Sequence, residues 1–110
     1  MDHMEKWFVQ DKRGREIYLT AERWQHIIDR HPYLRGHRED VLATIKYGRR
    51  KQQPRDPQAY VYYHPCNTLP ALYTGIQVVV VFRLNWDEVI EVRANNFIVT
   101  AWGIRWRSQK

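Results

Sequence analysis

Two histidines five residues apart are the clearest candidates for proton transfer in this chain. His26 and His31 lie in a segment whose apolar residues recur at helical spacing. At 100° per residue, His31 falls on the apolar arc with Trp24 and Ile27 and is expected to face a sheet, whereas His26 falls on the polar arc. Imidazole titrates near neutral pH and can serve as a general acid or base. The alternative for His31 is a structural histidine bonded to a backbone carbonyl.

A guanidinium and a hydroxyl complete the candidate catalytic set. Arg83 ends a strand that is otherwise apolar, where it either marks the emergence of the strand into water or faces a phosphate. Thr100 is predicted to share a face of the last strand with Ile98 and Trp102, although β-propensity alone also explains a threonine there. These groups suffice to cleave RNA without a metal, because the 2′-hydroxyl of RNA can attack the adjacent phosphate.

The spacing of potential ligands disfavours metal and cofactor chemistry. His26 and His31 would lie about 140° apart on a helix, which is not the i, i+4 geometry of a helical metal pair. The sequence has one cysteine, no acidic cluster and no glycine-rich phosphate loop. We therefore expect neither a metal nor a cofactor. Cys66 cannot form an intrachain disulfide, which fits a reducing cytoplasm, and its turn-like surroundings are more typical of an inert thiol than of a nucleophile.

Positive charge is concentrated beside aromatic residues. The chain has 18 Lys and Arg against 12 Asp and Glu, a formal charge of +6, which favours phosphate-bearing partners. Cations between positions 46 and 55, here called the 46–55 cluster, are interleaved with tyrosines in the way that suits single-stranded RNA. A solvated basic turn is the alternative. The candidate RNA-binding residues are Lys46, Arg49, Arg50, Lys51 and Tyr62.

The elements that must position these residues begin with a hairpin and two helices. Apolar runs at 7–9 and 17–19 predict an N-terminal hairpin with Gly14 in its loop. Thr20 is expected to cap the first helix, which ends near His31 because Pro32 follows. A second helix is predicted over 38–47.

The second half of the chain predicts an antiparallel meander. Strands are expected over 60–64, 76–84, 89–93 and 97–102, with 94–96 as the turn between the last two. The fold class is therefore α+β, with an N-terminal hairpin and two helices packed on an antiparallel β-meander of about four strands. Residues 1–110 form one domain, with a basic tail at 105–110, and His3, which precedes a second methionine, is left out of any site.

Apolar runs and the N-terminal sequence indicate where the protein acts. The longest apolar run is strand-sized, far below the ~18 residues of a membrane span. The N-terminus also lacks the pattern of a signal peptide. We expect a soluble, cytoplasmic protein that does not bind membranes.

Two segments resemble a known nuclease superfamily. Leu19–Pro32, with the sequence LTAERWQHIIDRHP, resembles the opening helix of phage- and toxin-associated nucleases in the barnase–EndoU–colicin–RelE superfamily. The closing Phe97–Trp102 is similar to that group's final strand, in which a hydrophobic residue precedes Thr, Ala and an aromatic residue. The resemblance covers most of residues 17 to 104, although the predicted strand at 89–93 is an addition to the usual order.

Members of that superfamily are mostly metal-independent RNases, and many are toxins. The resemblance implies active-site roles for His31 and Thr100. It also implies a basic residue from a central strand, for which Arg83 is the candidate, and His26 is a candidate second proton-transfer group. RNA and a protein inhibitor, such as an antitoxin or immunity protein, are the partners implied.

Three interpretations of function stand at this point. The first is a metal-independent endoribonuclease, acting as a toxin, that cleaves RNA by 2′-hydroxyl attack with histidine as general acid or base. The second is a non-catalytic RNA-binding module that keeps the 46–55 cluster but does not depend on His31. The third is a protein-interaction domain on the same fold, which would show an exposed apolar patch in place of a basic cleft.

Overall fold

The computed structural model describes residues 5–70, 72–86 and 92–105 as two α-helices packed on a six-stranded sheet. The elements in chain order are β1 (Lys6–Gln10), β2 (Glu16–Thr20), α1 (Ala21–Arg30), α2 (Arg38–Tyr47), β3 (Arg49–Gln53), β4 (Asp56–Pro65), β5 (Gly75–Trp86) and β6 (Val92–Ile104). A 3₁₀ turn at Pro32–Leu34 joins the helices. The strand order is β1-β2-β6-β5-β4-β3, and every neighbouring pair is antiparallel except β2 and β6, which run parallel.

The predicted α+β class and the N-terminal hairpin are both present, but the sheet is larger and mixed. β1 and β2 form the hairpin and also extend the main sheet through the parallel pairing of β2 with β6. β3 was not predicted, because its sequence RRKQQ is polar throughout. Polar and charged residues are typical of a strand at the edge of a sheet, where one side faces water.

The predicted turn at 94–96 is wrong. These residues lie inside the single long strand β6, where Asn95 pairs with Arg83 and Asn96 pairs with Phe82. Hydrogen bonds to β2 hold both asparagines, because Tyr18 Oη donates to Asn95 Oδ1 at 2.8 Å and Asn96 Nδ2 donates to a β2 carbonyl at 3.1 Å. Of the separate strand predicted at 89–93, positions 89–91 lie outside the described residues.

Both helices have the predicted bounds. α1 follows β2 without a loop, and Thr20 Oγ1 caps it by accepting the Arg23 N–H at 3.0 Å. His31 caps its C-terminus, and Pro32 follows. α2 ends at Gly48, where a Cβ would collide with the carbonyl oxygens of Thr44 and Tyr63.

The core lies between the helices and one face of the sheet. β5 is a central strand, as predicted, and its inward side chains are completely buried. A fully buried aliphatic side chain contributes about 1.5–3 kcal/mol, so this layer accounts for much of the stability of the fold. The sheet residues of the core are Ile17, Leu19, Tyr62, Ile76, Val78, Val80, Ile98 and Ala101, and the helices and their connection contribute Ile27, Ile28, Leu34, Val41, Leu42 and Ile45.

Side chains of the opposite sheet face remain outside this core. Alternation along the strands and the observed register place Phe8, Tyr18, Val81 and Phe97 on that face. In the described part of the chain, neither helix has the length and apolar character needed to cross a membrane.

Candidate functional site

A groove opens between α1 and β6 because β2 leaves the sheet early. β2 pairs with β6 at Tyr18 and Phe97 and then continues directly into α1 at Ala21. The helix therefore borders β6 beyond Phe97, and two adjoining cavities lie between them. We call them together the α1–β6 groove; its lining residues are Tyr18, Thr20, Arg23, His26, Ile27, Arg30, Arg83, Asn95, Phe97, Ile98, Val99 and Thr100.

Thr100 lines this groove from a position beside a β-bulge in β6. Val80 pairs with Ile98 but its neighbour Val79 pairs with Thr100, so Val99 is an extra residue in β6. Bulges re-aim the side chains beside them. Ile98 consequently faces the core, whereas Thr100 shares the register position of Val79 on the other face. The predicted shared face of Thr100 and Ile98 is therefore wrong, because simple alternation does not include the inserted residue.

The first cavity brings together a histidine, two arginines and a hydroxyl. Arg23, His26 and Arg30 of α1 line it opposite Thr100, and its volume is about 420 Å³. These helix residues are exposed, as the polar arc predicts. That arc nevertheless borders β6, so the polar position of His26 is compatible with a site between helix and sheet.

The second cavity adds Arg83 from the central strand. Its volume is about 330 Å³, and Arg23 lines both it and the first cavity, so the two adjoin at Arg23. The Arg83 Cζ lies 5.6 Å from the centroid of the Phe97 ring. Tyr18 and Asn95, joined by their hydrogen bond, form the polar wall beside it.

The charge of the groove is positive. Three guanidiniums line it, from Arg23, Arg30 and Arg83, and within the described ranges no aspartate or glutamate lines it. A concave surface lined by charges of one sign concentrates counter-ions of the other sign. Guanidiniums also match the geometry of a phosphate, which accepts two parallel hydrogen bonds from one arginine. The groove therefore suits a phosphodiester.

His31 lies at the C-terminal end of α1 in an aromatic setting. Its Nδ1 is 3.5 Å from Tyr33 Oη, and that oxygen accepts the N–H of Gly103 at 2.9 Å. The Tyr33 ring stacks on Tyr73 with centroids 4.2 Å apart, and burial, together with Tyr73, raises the pKa of the Tyr33 hydroxyl. His31 is half-buried here and is not among the groove-lining residues, so the structure brings His26, rather than His31, together with Thr100.

The 46–55 cluster divides into outward and inward side chains. Lys46, Arg49 and Lys51 are exposed, whereas Arg50 is half-buried with its Cζ 4.1 Å from the centroid of the Tyr60 ring. The ring of Tyr62, predicted to contact RNA, is only 1% exposed and so cannot stack on a base while it stays packed. Arg55 is exposed as well, so the cluster presents four exposed cations.

Tyr62 instead supports a buried carboxylate. Its Oη donates to Asp11 Oδ2 at 2.7 Å, and Asp11 Oδ1 accepts the backbone N–H groups of Arg13 and Arg15, both at 2.9 Å. Burial tends to raise the pKa of Asp11, but these hydrogen bonds outweigh it and lower the pKa overall. Burial and the neighbouring carboxylate raise the pKa of Tyr62. The pair joins the β1–β2 turn to β4 and is structural.

A cavity larger than either cavity of the groove lies near the C-terminal end of β5. Its volume is about 550 Å³, and Arg15, Tyr60, Phe82 and Arg83 are among its lining residues. Among the described residues, neither a histidine nor a carboxylate lines it. Across the described residues, no three His, Cys, Asp or Glu side chains converge as metal ligands would.

Sequence reasoning missed Arg23, Arg30 and Asn95 as members of the site. A signal for the first two was present, because positions 23, 26 and 30 have the i, i+3, i+7 spacing of one helical face. Asn95 carried no such signal, since it reaches the groove only through the pairing of β6 with β5. Comparisons of the chain with protein-family models, curated proteins and solved structures gave no match.

Proposed function

We propose that this protein is a metal-independent endoribonuclease that cleaves RNA in the α1–β6 groove. The observation that carries the proposal is that His26, three arginines and Thr100 line one groove, to which the described residues contribute no carboxylate. These groups match the needs of phosphodiester cleavage by the RNA's own 2′-hydroxyl: a proton acceptor and cations for the developing charge.

In this mechanism His26 receives the proton of the 2′-hydroxyl as the 2′-oxygen forms its bond to phosphorus. The bond from phosphorus to the 5′-oxygen breaks, and the departing oxygen takes a proton from water, which reaches the exposed groove. The products are a 2′,3′-cyclic phosphate and a 5′-hydroxyl. Arg23 and Arg30 stabilise the charge on the phosphoryl oxygens, and Thr100 donates a hydrogen bond that orients one of them.

Arg83 has a binding role in the same proposal. It lies in the cavity beyond Arg23, on the side away from His26 and Thr100, and is suited to hold a neighbouring phosphate of the strand. His31 remains the histidine implied by the superfamily resemblance, and the two histidines are separable by mutation because only His26 lines the groove. An enzyme of this kind harms the cell that makes it unless an inhibitor blocks the groove, and a protein inhibitor of a cationic groove is expected to be acidic.

The proposal is tested with a 5′-labelled mixed-sequence RNA incubated with the protein in excess EDTA. The expected result is cleavage that leaves 2′,3′-cyclic phosphate ends. A matched RNA with a single 2′-deoxynucleotide at a mapped cleavage position should resist cleavage there and be cut normally elsewhere. Loss of activity in EDTA, or cleavage at the deoxy position, would refute the mechanism.

A non-catalytic RNA-binding module is the second candidate. The observation that favours it is that, of the described residues, His26 is the one imidazole that lines the groove. Cleavage by 2′-hydroxyl attack is served best by both a proton acceptor and a proton donor, and His26 alone supplies only one of them. Folded protein that binds the same RNA in a salt-sensitive manner but leaves it intact would establish this candidate in place of the first.

A further inference from the structure

Three aromatic rings form a row across the sheet face that the helices do not cover. Phe8, Tyr18 and Phe97 lie on the adjacent strands β1, β2 and β6, and the register pairs Phe8 with Tyr18 and Tyr18 with Phe97. The first two ring centroids are 5.9 Å apart and the second two 6.1 Å apart, with the rings tilted by 51° and 39°. We call Phe8, Tyr18 and Phe97 the aromatic row.

The core does not require this row. The neighbours of Phe8 on β1, Trp7 and Val9, pack against the core from the other face, whereas the row lies outside the core cluster. Phe8 is 55% exposed. A phenylalanine with half its surface in water, continuous with two further rings, is typical of a surface that contacts a partner.

Cations accompany the row. Lys6 Nζ lies 4.5 Å from the centroid of the Tyr18 ring, and Arg83 Cζ lies 5.6 Å from that of Phe97. The Tyr18 hydroxyl is tied to Asn95, which fixes the middle ring in place. Rings for stacking beside cations for phosphates are the two components of surfaces that bind single-stranded nucleic acid.

The row runs into the α1–β6 groove. Tyr18 and Phe97 line the cavity that also holds Arg83 and Arg23. A single strand of RNA lying on the row would therefore enter the groove at Arg83 without leaving the protein surface.

The geometry of the row suits separated bases. Because neighbouring rings are tilted by 51° and 39°, they cannot all lie parallel to the bases of one continuous stack. Unpaired bases of a loop or single strand can instead splay onto separate rings.

We propose that the aromatic row is a stacking platform that selects single-stranded RNA and delivers it to the groove. Bases stack on Phe8 and Phe97, and Arg83 holds a phosphate between the platform and the groove. Lys6, which lies over the Tyr18 ring between Phe8 and Phe97, binds a second phosphate through its ammonium group. The delivery step rests on the proposed nuclease function, whereas binding of single strands to the row does not.

The test measures binding of a fluorescent 2′-O-methyl oligouridine, which lacks the attacking hydroxyl and so cannot be cleaved. Affinity is compared with that for a blunt 2′-O-methyl duplex of equal length. Wild type should prefer the single strand, and Phe8→Ala should weaken single-strand binding about 5- to 100-fold, as expected for loss of one stacked base. Phe8→Trp should retain binding, and Leu72→Ala, which removes an exposed apolar side chain from a loop, is the matched control.

Equal single-strand affinity for wild type and Phe8→Ala would overturn the platform, and so would equal affinity of wild type for the duplex. Thermal unfolding of each variant identifies any loss of fold, which the exposure of Phe8 makes unexpected. The outcome is separate from that of the nuclease proposal. Inactive protein that still shows the Phe8-dependent preference retains the platform, and active protein without that preference retains only the nuclease.

Discussion

Arg23, His26 and Arg30 reach the groove from one face of α1 because they follow one another at intervals of three and four residues. Thr100 lines the same cavity from β6, beside the bulge at Val99. The helix thus supplies the proton-transfer group and two cations, and the strand supplies the hydroxyl. Each contribution can be removed separately by mutation.

Arg23 lines both cavities. Of the three arginines in the groove, we expect it to make the largest contribution to catalysis. Arg23→Ala should lower kcat by about 10²- to 10³-fold, the cost of removing one preorganised group that stabilises developing charge. Arg23→Lys should restore only part of the rate, because an ammonium lacks the planar fork of donors. Single-turnover cleavage measures the effect, with Arg35→Ala, an exposed arginine outside the groove, as the control. Equal losses in both alanine variants would contradict the role of Arg23.

Asp11 is expected to make stability sensitive to acid. Its pKa is lower in the folded chain than in the unfolded chain, where it is about 3.9. Its stabilising contribution is therefore complete above that value and is lost as the pH falls through the folded pKa. Urea unfolding of wild type and Asp11→Asn should show the variant less stable by about 1–3 kcal/mol at pH 7, and the difference should shrink toward pH 3. A difference that stays constant with pH would contradict this.

From the sequence, the side-chain chemistry of histidine, arginine and threonine identified four catalytic candidates: His26, His31, Arg83 and Thr100. Ranking the two histidines was not possible from a helical wheel. The wheel gives directions around the helix axis but does not say which arc borders a strand that pairs far away in the chain. The burial of Tyr62 was hidden for the same reason, because its partner Asp11 is 51 residues away.

At the scale of elements, the bounds of the helices could be predicted from local sequence signals, whereas the strands at 49–53 and 94–96 could not, because they depend on pairing with distant strands. Thr20, Pro32 and Gly48 fixed the helix ends, since caps and breakers act within a few residues. β3 and the 94–96 segment of β6 are polar, and their strand conformation comes from register with β4 and β5. A long-range pairing of this kind leaves little signal in local composition.

The close connection between α2 and β3 should be intolerant of any side chain at Gly48. An added Cβ would meet the carbonyl oxygens of Thr44 and Tyr63, which are held in helix and sheet and cannot easily move. Gly48→Ala is expected to destabilise the fold by about 1–3 kcal/mol, in the range of overpacked sites. Chemical denaturation measures this, with Lys51→Ala, an exposed position on the following strand β3, as the control. Unchanged stability of Gly48→Ala would show that the connection can shift.

At the scale of the whole molecule, a charge of +6 indicated a polyanionic partner, but composition could not say where it binds. The sequence pointed to the 46–55 cluster, whose cations lie close together along the chain. The α1–β6 groove gathers cations from positions 23, 30 and 83, which only the fold brings together.

RNA binding should weaken steeply with salt. Each phosphate contact with a single strand contributes about −0.7 to the slope of log K against log salt concentration. Arg83→Ala should make that slope shallower by about one contact, whereas Arg35→Ala should leave it unchanged. Fluorescence anisotropy across a salt titration with the uncleavable oligouridine provides the measurement. Identical slopes for wild type and Arg83→Ala would exclude a phosphate contact at Arg83.

The central claim, that RNA is cleaved in the α1–β6 groove with His26 as the proton acceptor, is tested most directly by comparing two histidine variants. Single-turnover cleavage of one labelled RNA in EDTA is measured for wild type, His26→Ala and His31→Ala, each verified as folded by thermal unfolding. The account predicts that His26→Ala loses about 10²- to 10⁴-fold in rate, the usual contribution of a general base, while His31→Ala loses much less. Full activity in His26→Ala, or a loss confined to His31→Ala, would contradict it.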